Sequence, residues 1–350
     1  MSQDSSLTSA REISISFAPH LREALSVQRI MLDVVIGLAP ALVAAGIYFR
    51  ARGLLLVGTC VVWSLAAEWF CNVLRKRPSS LWDLSAVVTG VILALSLPPA
   101  LPLWAGAIGA FFAVAIGKMV FGGLGANIFN PAMVGRAFLT ASFGVLMTTW
   151  TVPATLHPQL PRVGPDSKLE DVRTQATPLA WSKTALKDKT GAWIYSERHP
   201  LWRTLLGEKG GCLGETSALA LLLGGLYLLA RRIISIHIPL AVLTSAFAFA
   251  GVAYLVNSEA HVQPFYHVLS GALLFGAFFI ATDPVTAPLT VRGQWIFGAL
   301  IGAFTMLVRI AGEYPEGFMY AVLLANSVRP LIDRLVRPVP AGGIPHAVKA

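Results

Sequence analysis

The sequence is poor in charge. Only 13% of its 350 residues are Asp, Glu, Lys or Arg, whereas 55% are hydrophobic, and the mean hydropathy is +0.66. Soluble domains carry about 25% charged residues, so a folded chain of this composition would expose too much apolar surface to water. The composition therefore excludes a soluble globular domain and predicts an integral membrane protein.

Cysteine is also scarce. Cys60 and Cys71 fall in one apolar run, Cys212 stands alone, and no Cys-x-x-Cys pair occurs. Cysteine-held metal and iron–sulfur sites usually need such spacing, so we expect no such site in the chain. The Gly-x-Gly-x-x-Gly turn that binds dinucleotides is absent as well, so NAD is expected to bind elsewhere. Residues 1–28 lack an apolar core, which argues against a cleavable signal peptide.

The net charge of +9 invites comparison with nucleic-acid-binding proteins. However, the basic residues form no single patch; they stand in short groups between apolar runs, as in membrane-flanking loops. We therefore expect a lipid bilayer, and no nucleic acid, as their partner. The groups are residues 50 and 52, 75–77, 231–232 and Arg329, Arg334 and Arg337.

Ten apolar runs approach the length of about 20 residues that a helix needs to cross the hydrocarbon core. Five precede the polar stretch 151–211 and five follow it. This predicts an all-α membrane protein with about ten transmembrane helices. The runs are 30–49, 54–74, 84–99, 103–121, 134–150, 216–230, 236–256, 265–281, 295–310 and 317–331.

Lys and Arg in short loops predict the orientation. If the N-terminus lies in the cytoplasm, most basic groups, including Arg292 and the C-terminal tail, also lie on the cytoplasmic side. Only Arg50 and Arg52 would then lie on the outer side, against the rule. The predicted organisation is a cytoplasmic segment, a five-helix repeat, an external or periplasmic loop, a second five-helix repeat and a cytoplasmic tail. Their bounds are 1–28, 29–150, 151–211, 212–335 and 336–350.

The two halves are expected to be related by inversion. Asn130-Pro131 precedes one run, and Asp283-Pro284 precedes another in the second half. An odd number of helices in each half makes such repeats inverted. Chance is the alternative, because proline is common at the ends of spans.

The segment 122–132 is a break between two apolar runs that is rich in Gly and Asn. Non-helical backbone at membrane depth survives only when it is buried or lines a cavity. Asn127 and Asn130 offer amide donors and acceptors that suit the edge of a heterocycle. An interfacial turn is the alternative.

Two further segments are candidates for function. In 210–217, glycines precede Glu215, Thr216 and Ser217 at the start of a run, where free backbone N–H groups attract anions; an ordinary N-cap is the alternative. Asp283, followed by Pro284 and Pro288 at the end of a run, and Glu68, inside a run, are carboxylates at membrane depth and hence candidates for an ion path. For Asp283 the alternative is a cap on a broken helix. Glu68 lies near Arg75 in the sequence and Lys118 lies near the end of another run; each pairs with its neighbours or lines a polar path, and the sequence leaves both alternatives open.

The external loop contains Asp171, Thr174, Ala176 and Thr177 in the order and spacing of a flavinylation motif. With the 211–217 and 127–132 segments, this motif makes the chain, over about residues 20–335, resemble the D subunits of the Rnf ion-translocating electron-transport complex. It is also similar to the B subunits of the sodium-translocating NADH:quinone reductase. Val172 and Gln175 depart from the motif, because they stand where those families carry glycine.

The resemblance implies a function. Thr177 is expected to carry FMN through a phosphoester made by a flavin transferase, with Gly214, Glu215, Thr216 and Ser217 near that flavin. Asn127 and Asn130 are expected to hold a second flavin, riboflavin.

By the same resemblance, the chain would be a flavin-carrying subunit in a bacterial inner membrane. Its complex, which has a second FMN-bearing subunit among its partners, would couple electron transfer between ferredoxin and NAD to sodium or proton transport. A solute transporter or channel with inverted repeats is the rival class, although it has no reason to carry the Thr177 motif. A purely structural scaffold fits the buried carboxylates poorly.

Overall fold

The computed structural model describes residues 26–149, 201–207, 211–258, 261–312 and 316–337, and within these ranges it is helical, without a strand. The predicted all-α class is therefore confirmed for this part of the chain. The helices, in chain order, are α1 Val27–Leu74, α2 Ser85–Leu95, α3 Leu103–Met119, α4 Pro131–Ser142, α5 Gly144–Met147, α6 Leu201–Leu206, α7 Ala218–Ala230, α8 His237–Val256, α9 Pro264–Leu269, α10 over 273–280, α11 Val291–Ala311 and α12 Phe318–Leu335.

Three of these helices, α1, α8 and α11, are long and apolar enough to cross a membrane. Large apolar side chains on their outer faces are exposed, for example Val62, Val252 and Leu255. A water-soluble protein rarely leaves such a belt uncovered, so the surface is typical of a membrane protein. The number of crossings stays a prediction, because α2, α3 and α7 are apolar but shorter.

The helix α1 contains a reversal at one residue. Arg50 has φ 53° and ψ −145°, which is non-helical. A straight helix would place Ile30 and Glu68 about 57 Å apart at 1.5 Å per residue. Ile30 nevertheless lines the same cavity as Lys118, which is bonded to Glu68. The predicted runs 30–49 and 54–74 are thus two antiparallel arms, 27–49 and 51–74, joined without a loop.

Several predicted runs are wrong in length because the helices within them are broken. The run 84–99 holds α2, which has 11 residues and ends before Pro98 and Pro99. The run 265–281 is divided at Ser270 and Gly271 into α9 and α10. The run 134–150 is mostly α4, which starts earlier, at Pro131, and stops at Ser142. Proline and glycine end these helices because neither sustains the helical hydrogen-bond ladder.

Two helices contain π turns. The end of α3 over Ala115–Met119 and the end of α10 over Gly276–Ile280 both have this wider winding. Such turns are rare and are frequent at functional sites. Both lie beside the candidate site described below.

Small residues allow the helices to approach closely. A Cβ built at Gly224 of α7 would lie only 1.9 Å from the carbonyl oxygen of Gly37 in the first arm of α1. A Cβ at Gly302 of α11 would similarly overlap the backbone of α8 at Val242. Association in membranes depends on such packing, since lipid is as apolar as the side chains.

We predict that Gly224→Ala lowers the melting temperature of the purified protein in detergent, because its methyl group overlaps the Gly37 carbonyl oxygen. Overpacking of this kind costs about 1–3 kcal/mol. Gly251→Ala is the matched change, since a Cβ there meets no atom within 4 Å. Equal melting temperatures for both variants would contradict this packing.

Candidate functional site

A partly open cavity of about 130 Å³ lies where the ends of several helices meet. Its walls come from the first arm of α1, from α2, from the break before α4 and from α10 with its following turn. It brings together three predicted site residues that are far apart in sequence, Asn127, Asn130 and Asp283. The other lining residues used below are Ser85, Lys118, Phe278 and Phe279.

The two asparagines differ in what they offer a ligand. Asn127 Nδ2 donates to the carbonyl of Phe129, whereas its buried Oδ1 has no partner among the described residues. Asn130 caps α4 by accepting from the N–H of Met133, and its Nδ2 donates to the carbonyl of Ile280 at 3.4 Å. Asn127 therefore has an unused acceptor at the cavity, while Asn130 mainly joins the two walls.

The break before α4 needs its glycines. Gly122, Gly123 and Gly125 all have positive φ, between 92° and 135°, a conformation that other residues adopt only with strain. The backbone can therefore fold back over the cavity mouth. The segment is built of turns and bends, and Leu124, Gly125, Ala126 and Ile128 are exposed, whereas Asn127 and Asn130 are buried. The flavin pocket and the interfacial turn therefore both stay as predictions.

Asp283 stabilises the turn that follows α10. Its Oδ1 accepts from the N–H of Val285 at 3.2 Å and its Oδ2 accepts from the Thr286 hydroxyl at 3.1 Å. Asp283 thus stabilises this turn rather than a helix end, because the described helices on either side end at Ile280 and begin at Val291. Because it also lines the cavity, its carboxylate brings a negative charge to that wall.

Glu68 and Lys118 form a buried ion pair in the neighbouring wall. Lys118 Nζ lies 2.8 Å from Glu68 Oε1, and both side chains are almost completely buried. The ammonium also donates to Ser85 Oγ, whose hydroxyl donates to Asp83. The pairing alternative for Glu68 is therefore what the structure has, and its partner is Lys118 rather than Arg75, which donates to the Met119 carbonyl.

A second polar cluster lies at the opposite end of α2. Arg136 Nη2 contacts Glu316 Oε2, Cys212 Sγ at 3.4 Å and Glu215 Oε1 at 3.9 Å. Glu316 Oε1 accepts from the N–H of Ala272 at the start of α10. One guanidinium thus links α4 to two segments from the second half of the chain.

The cluster has the ligand types of a metal site but already contains a cation. Cys212, Glu215 and Glu316 offer ligand atoms within 4.8 Å of one another. Arg136 Nη2 contacts all three, so its guanidinium supplies the positive charge that these groups need. We therefore interpret the cluster as an ion-pair network.

The segment 211–217 fits tightly against the end of α2. Gly214 N–H donates to the carbonyl of Leu95 at 2.7 Å, and a Cβ at Gly214 would lie 2.8 Å from that of Leu95. Ser217 caps α7 by accepting from Ala220 N–H, and Thr216 donates to the Leu213 carbonyl. The N-cap alternative is confirmed for Ser217, and the hydroxyls of both residues are used within the segment.

The sequence analysis missed several residues of these two polar clusters. Thr177 and its motif, which it did predict, lie outside the described residues. Arg136, Glu316 and Cys212 were missed as a cluster; an arginine within an apolar run is the signal that could have found Arg136. Arg309 was missed too, although it donates to the carbonyls of His267 and Ser270 and so caps the broken end of α9.

The fold and both clusters define a class: a helical membrane protein whose broken helices meet at two buried polar sites, one at each end of the short helix α2. The sequence model of the NQR2, RnfD, RnfE family matches residues 14–342. The chain belongs to this family.

Individual relatives agree along nearly the whole chain. The chain is 39% identical to the D subunit of the proton-translocating ferredoxin:NAD(+) oxidoreductase complex of Clostridium ljungdahlii, covering 94% of this chain and 96% of the relative. It is 42% identical to the Na(+)-translocating counterpart of Acetobacterium woodii, covering 93% and 94%. It is 40% identical to the D subunit of the ion-translocating oxidoreductase complex of Actinobacillus succinogenes, covering 94% and 97%. Because proton- and sodium-named relatives are about equally similar, overall identity does not distinguish the ion.

We predict that Arg136→Met lowers the melting temperature strongly, because it leaves two buried carboxylates without their cation. Removing one partner of a buried pair costs about 3–5 kcal/mol. Adding Glu316→Gln to Arg136→Met should restore part of the loss. Arg292→Met is the matched control, since Arg292 is exposed; a loss as large as that of Arg136→Met would argue against the network.

Proposed function

We propose that this chain is a flavin-carrying membrane subunit of an ion-translocating ferredoxin:NAD oxidoreductase complex. The observation that carries the proposal is similarity over at least 93% of the chain, at 39–42% identity, to D subunits of complexes named proton- or Na(+)-translocating ferredoxin:NAD(+) oxidoreductases. The flavin in the proposal rests on the motif at Thr177. The complex would transfer electrons between ferredoxin and NAD and couple them to sodium or proton transport. Its other membrane and peripheral subunits, including a second FMN-bearing subunit, would be the partners, in the inner membrane of a bacterium.

The proposed topology has ten crossings or part-crossings, with both termini in the cytoplasm. The contacts support this topology, because hydrogen bonds join loops that are expected to lie on the same side of the membrane. At the inner end, Arg75 bonds to the Met119 carbonyl and Ser235 to Gln294. At the outer end, Tyr48 bonds to the Leu206 carbonyl. The cavity then opens to the cytoplasm and the Arg136 cluster faces outward.

An inverted repeat is part of the proposal, with one correction. Asn130 precedes the fifth run of the first half and Asp283 the fourth run of the second, so these residues do not correspond. A better match pairs 98–102 with 284–288, since both begin and end with proline and follow the short helices α2 and α10. α3 then corresponds to α11 and α4 to α12.

The inner cavity is proposed to hold riboflavin. The unused Oδ1 of Asn127 fits an N–H at the edge of a flavin ring, and Phe278 and Phe279 offer apolar faces. The volume is below the 300–1,000 Å³ of pockets that enclose a whole drug-sized ligand, so the cavity as it stands admits the polar edge of the ring. The glycine-rich break is the wall that could open for the rest.

The outer site is proposed to adjoin FMN carried on Thr177. The tight 211–217 segment, with Gly214, Glu215, Thr216 and Ser217, would lie beside that FMN. A flavin transferase would attach the FMN. Flavins supply the electron chemistry when bound; the residues of this chain supply position, insulation and local charge.

The helix α2 connects the two proposed flavin sites. Ser85 near its start lines the inner cavity, and the carbonyl of Leu95 at its end bonds to Gly214 of the outer segment. Its 11 residues correspond to about 16 Å, so electrons would need to cross only this length of packed protein. Asp283 and Glu68 are proposed to contribute to the ion path, since both are carboxylates at or beside the inner cavity.

We predict that Thr177→Val abolishes covalent FMN, because it removes the hydroxyl that forms the phosphoester but keeps the shape of the side chain. In-gel flavin fluorescence of the denatured subunit is the measurement. Thr174→Val is the matched control and should keep the fluorescence. Fluorescence that persists in Thr177→Val and disappears in Thr174→Val would move the acceptor; a wild-type chain without fluorescence would remove the flavin-carrier proposal.

We predict that Asn127→Leu combined with Asn130→Asp lowers the content of non-covalent riboflavin severalfold and leaves covalent FMN unchanged. Asp at position 130 keeps the oxygen that caps α4, so the fold is disturbed less than by Leu. Flavin extracted by acid from the purified protein is measured, with Asn257→Leu, at an exposed site, as the control. An unchanged content of extractable flavin in a folded variant would contradict this assignment.

A further inference from the structure

Two π turns line the inner cavity, one from each half of the chain. The turn Ala115–Met119 carries Lys118, and the turn Gly276–Ile280 carries Phe278 and Phe279. Since a π turn shifts side chains away from the α-helical register, it aims these three residues differently from an unbroken helix. Lys118 is the only positively charged residue among the described residues that line the cavity.

One N–H group of the Lys118 ammonium has no hydrogen-bond partner among the described residues. The ammonium carries three N–H groups, of which two are used, by Glu68 Oε1 and Ser85 Oγ. The structure gives it no third partner among the described residues, and its side chain is a wall of the cavity. The third N–H is therefore available to a ligand there.

One carboxylate oxygen of Glu68 accepts no hydrogen bond from the described residues. Oε1 is shared by Lys118 and the Ser80 hydroxyl, whereas Oε2 is buried without a partner in the described part of the chain. Ser80 directly follows the exposed residues 75–79. The carboxylate thus lies between the buried ammonium and a solvent-facing loop.

We propose that Lys118 is a movable charge that couples electron arrival in the cavity to cation uptake at Glu68. The inference rests on the proposed flavin in this cavity. When one electron, donated ultimately by a reduced iron–sulfur protein, adds a negative charge there, the Lys118 ammonium turns from Glu68 towards it. Glu68 then takes one cation, Na⁺ or H⁺, from the side of residues 75–80.

The charges balance in this step. One electron enters, one cation enters, and no covalent bond of the protein is made or broken; electron departure returns Lys118 to Glu68 and releases the cation. Lysine suits the role, because its compact charge sits on a flexible four-carbon stem. A buried carboxylate without a cation is costly, so the Glu68 carboxylate must bind another cation once Lys118 has turned away.

The remaining charges near this pair are fixed by other contacts. Asp83 accepts from Ser85, Asp283 from Val285 and Thr286, and Arg75 and Arg77 donate to backbone carbonyls. Cys71 lies within electrostatic range of Glu68. The titratable and charged groups on the elements around the pair are Cys71, Arg75, Arg77, Asp83 and Asp283.

The experiment is a redox titration of the non-covalent flavin in the purified complex at several NaCl concentrations and several pH values. If one cation accompanies each electron, the midpoint potential rises by about 59 mV for each tenfold increase in that cation. Dependence on NaCl identifies Na⁺. Dependence on pH identifies H⁺ at Glu68 only where the Glu68 variant below loses it, because a flavin ring also binds protons when it is reduced. A wild-type potential that depends on neither overturns the proposal.

The variant Lys118→Met with Glu68→Gln removes both charges and leaves the wall neutral, which avoids an unpaired buried charge. It should keep its flavin but lose the cation dependence, whereas Arg292→Gln, which removes one exposed charge, should keep it. A double variant with bound flavin and the wild-type dependence would overturn the proposal. Should the double variant fail to fold, redox-difference infrared spectra of the wild type decide, since they must contain a glutamate carboxylate band. Absence of flavin from the wild-type cavity would instead refute the proposed function.

Discussion

The structure depends on one constraint: a helix that stops inside an apolar environment must find partners for its last carbonyl groups. At each break the partner comes from a distant part of the chain. Leu95 and Leu97 at the end of α2 accept from Gly214 and Leu213. The broken end of α9 is capped by Arg309, and the carbonyl of Ile280 accepts from Asn130. The bonds at Leu95, Leu97 and Ile280 join the two halves of the chain, and both candidate sites form where they do so.

The sequence predicted the class of fold well because composition and apolar runs depend only on the local chain. It also singled out Asn127, Asn130 and Asp283, since polar residues in apolar surroundings are visible without a structure. That these three share one cavity could not be predicted, because it depends on contacts between distant parts of the chain, such as the bond from Asn130 to the Ile280 carbonyl. The lengths of α2 and α10 were missed for the same reason: hydropathy does not show where a run changes direction.

The two sites show different uses of buried charge. At the outer site Arg136 is in contact with three groups at once, so it is fixed and its role is to hold segments together. At the inner site Lys118 bonds to Glu68 and Ser85, and Glu68 Oε1 accepts from Lys118 and Ser80, which leaves one N–H of Lys118 and Glu68 Oε2 unused among the described residues. Arg136 Nη1 and Glu215 Oε1 of the outer site are unused there too, but the planar guanidinium contacts groups from two segments, whereas the Lys118 ammonium sits on a flexible stem at the cavity. Burial alone, which is similar in both, does not distinguish these roles.

The reversal at Arg50 has a consequence for how the protein can move. A single residue advances the chain by less than about 4 Å, so the adjoining ends of the arms 27–49 and 51–74 cannot separate, and a tilt of one arm displaces the end of the other. Ile30 on the first arm lines the inner cavity and Glu68 on the second arm bonds to Lys118 of the same cavity. Any such motion therefore reaches two walls of the cavity at once.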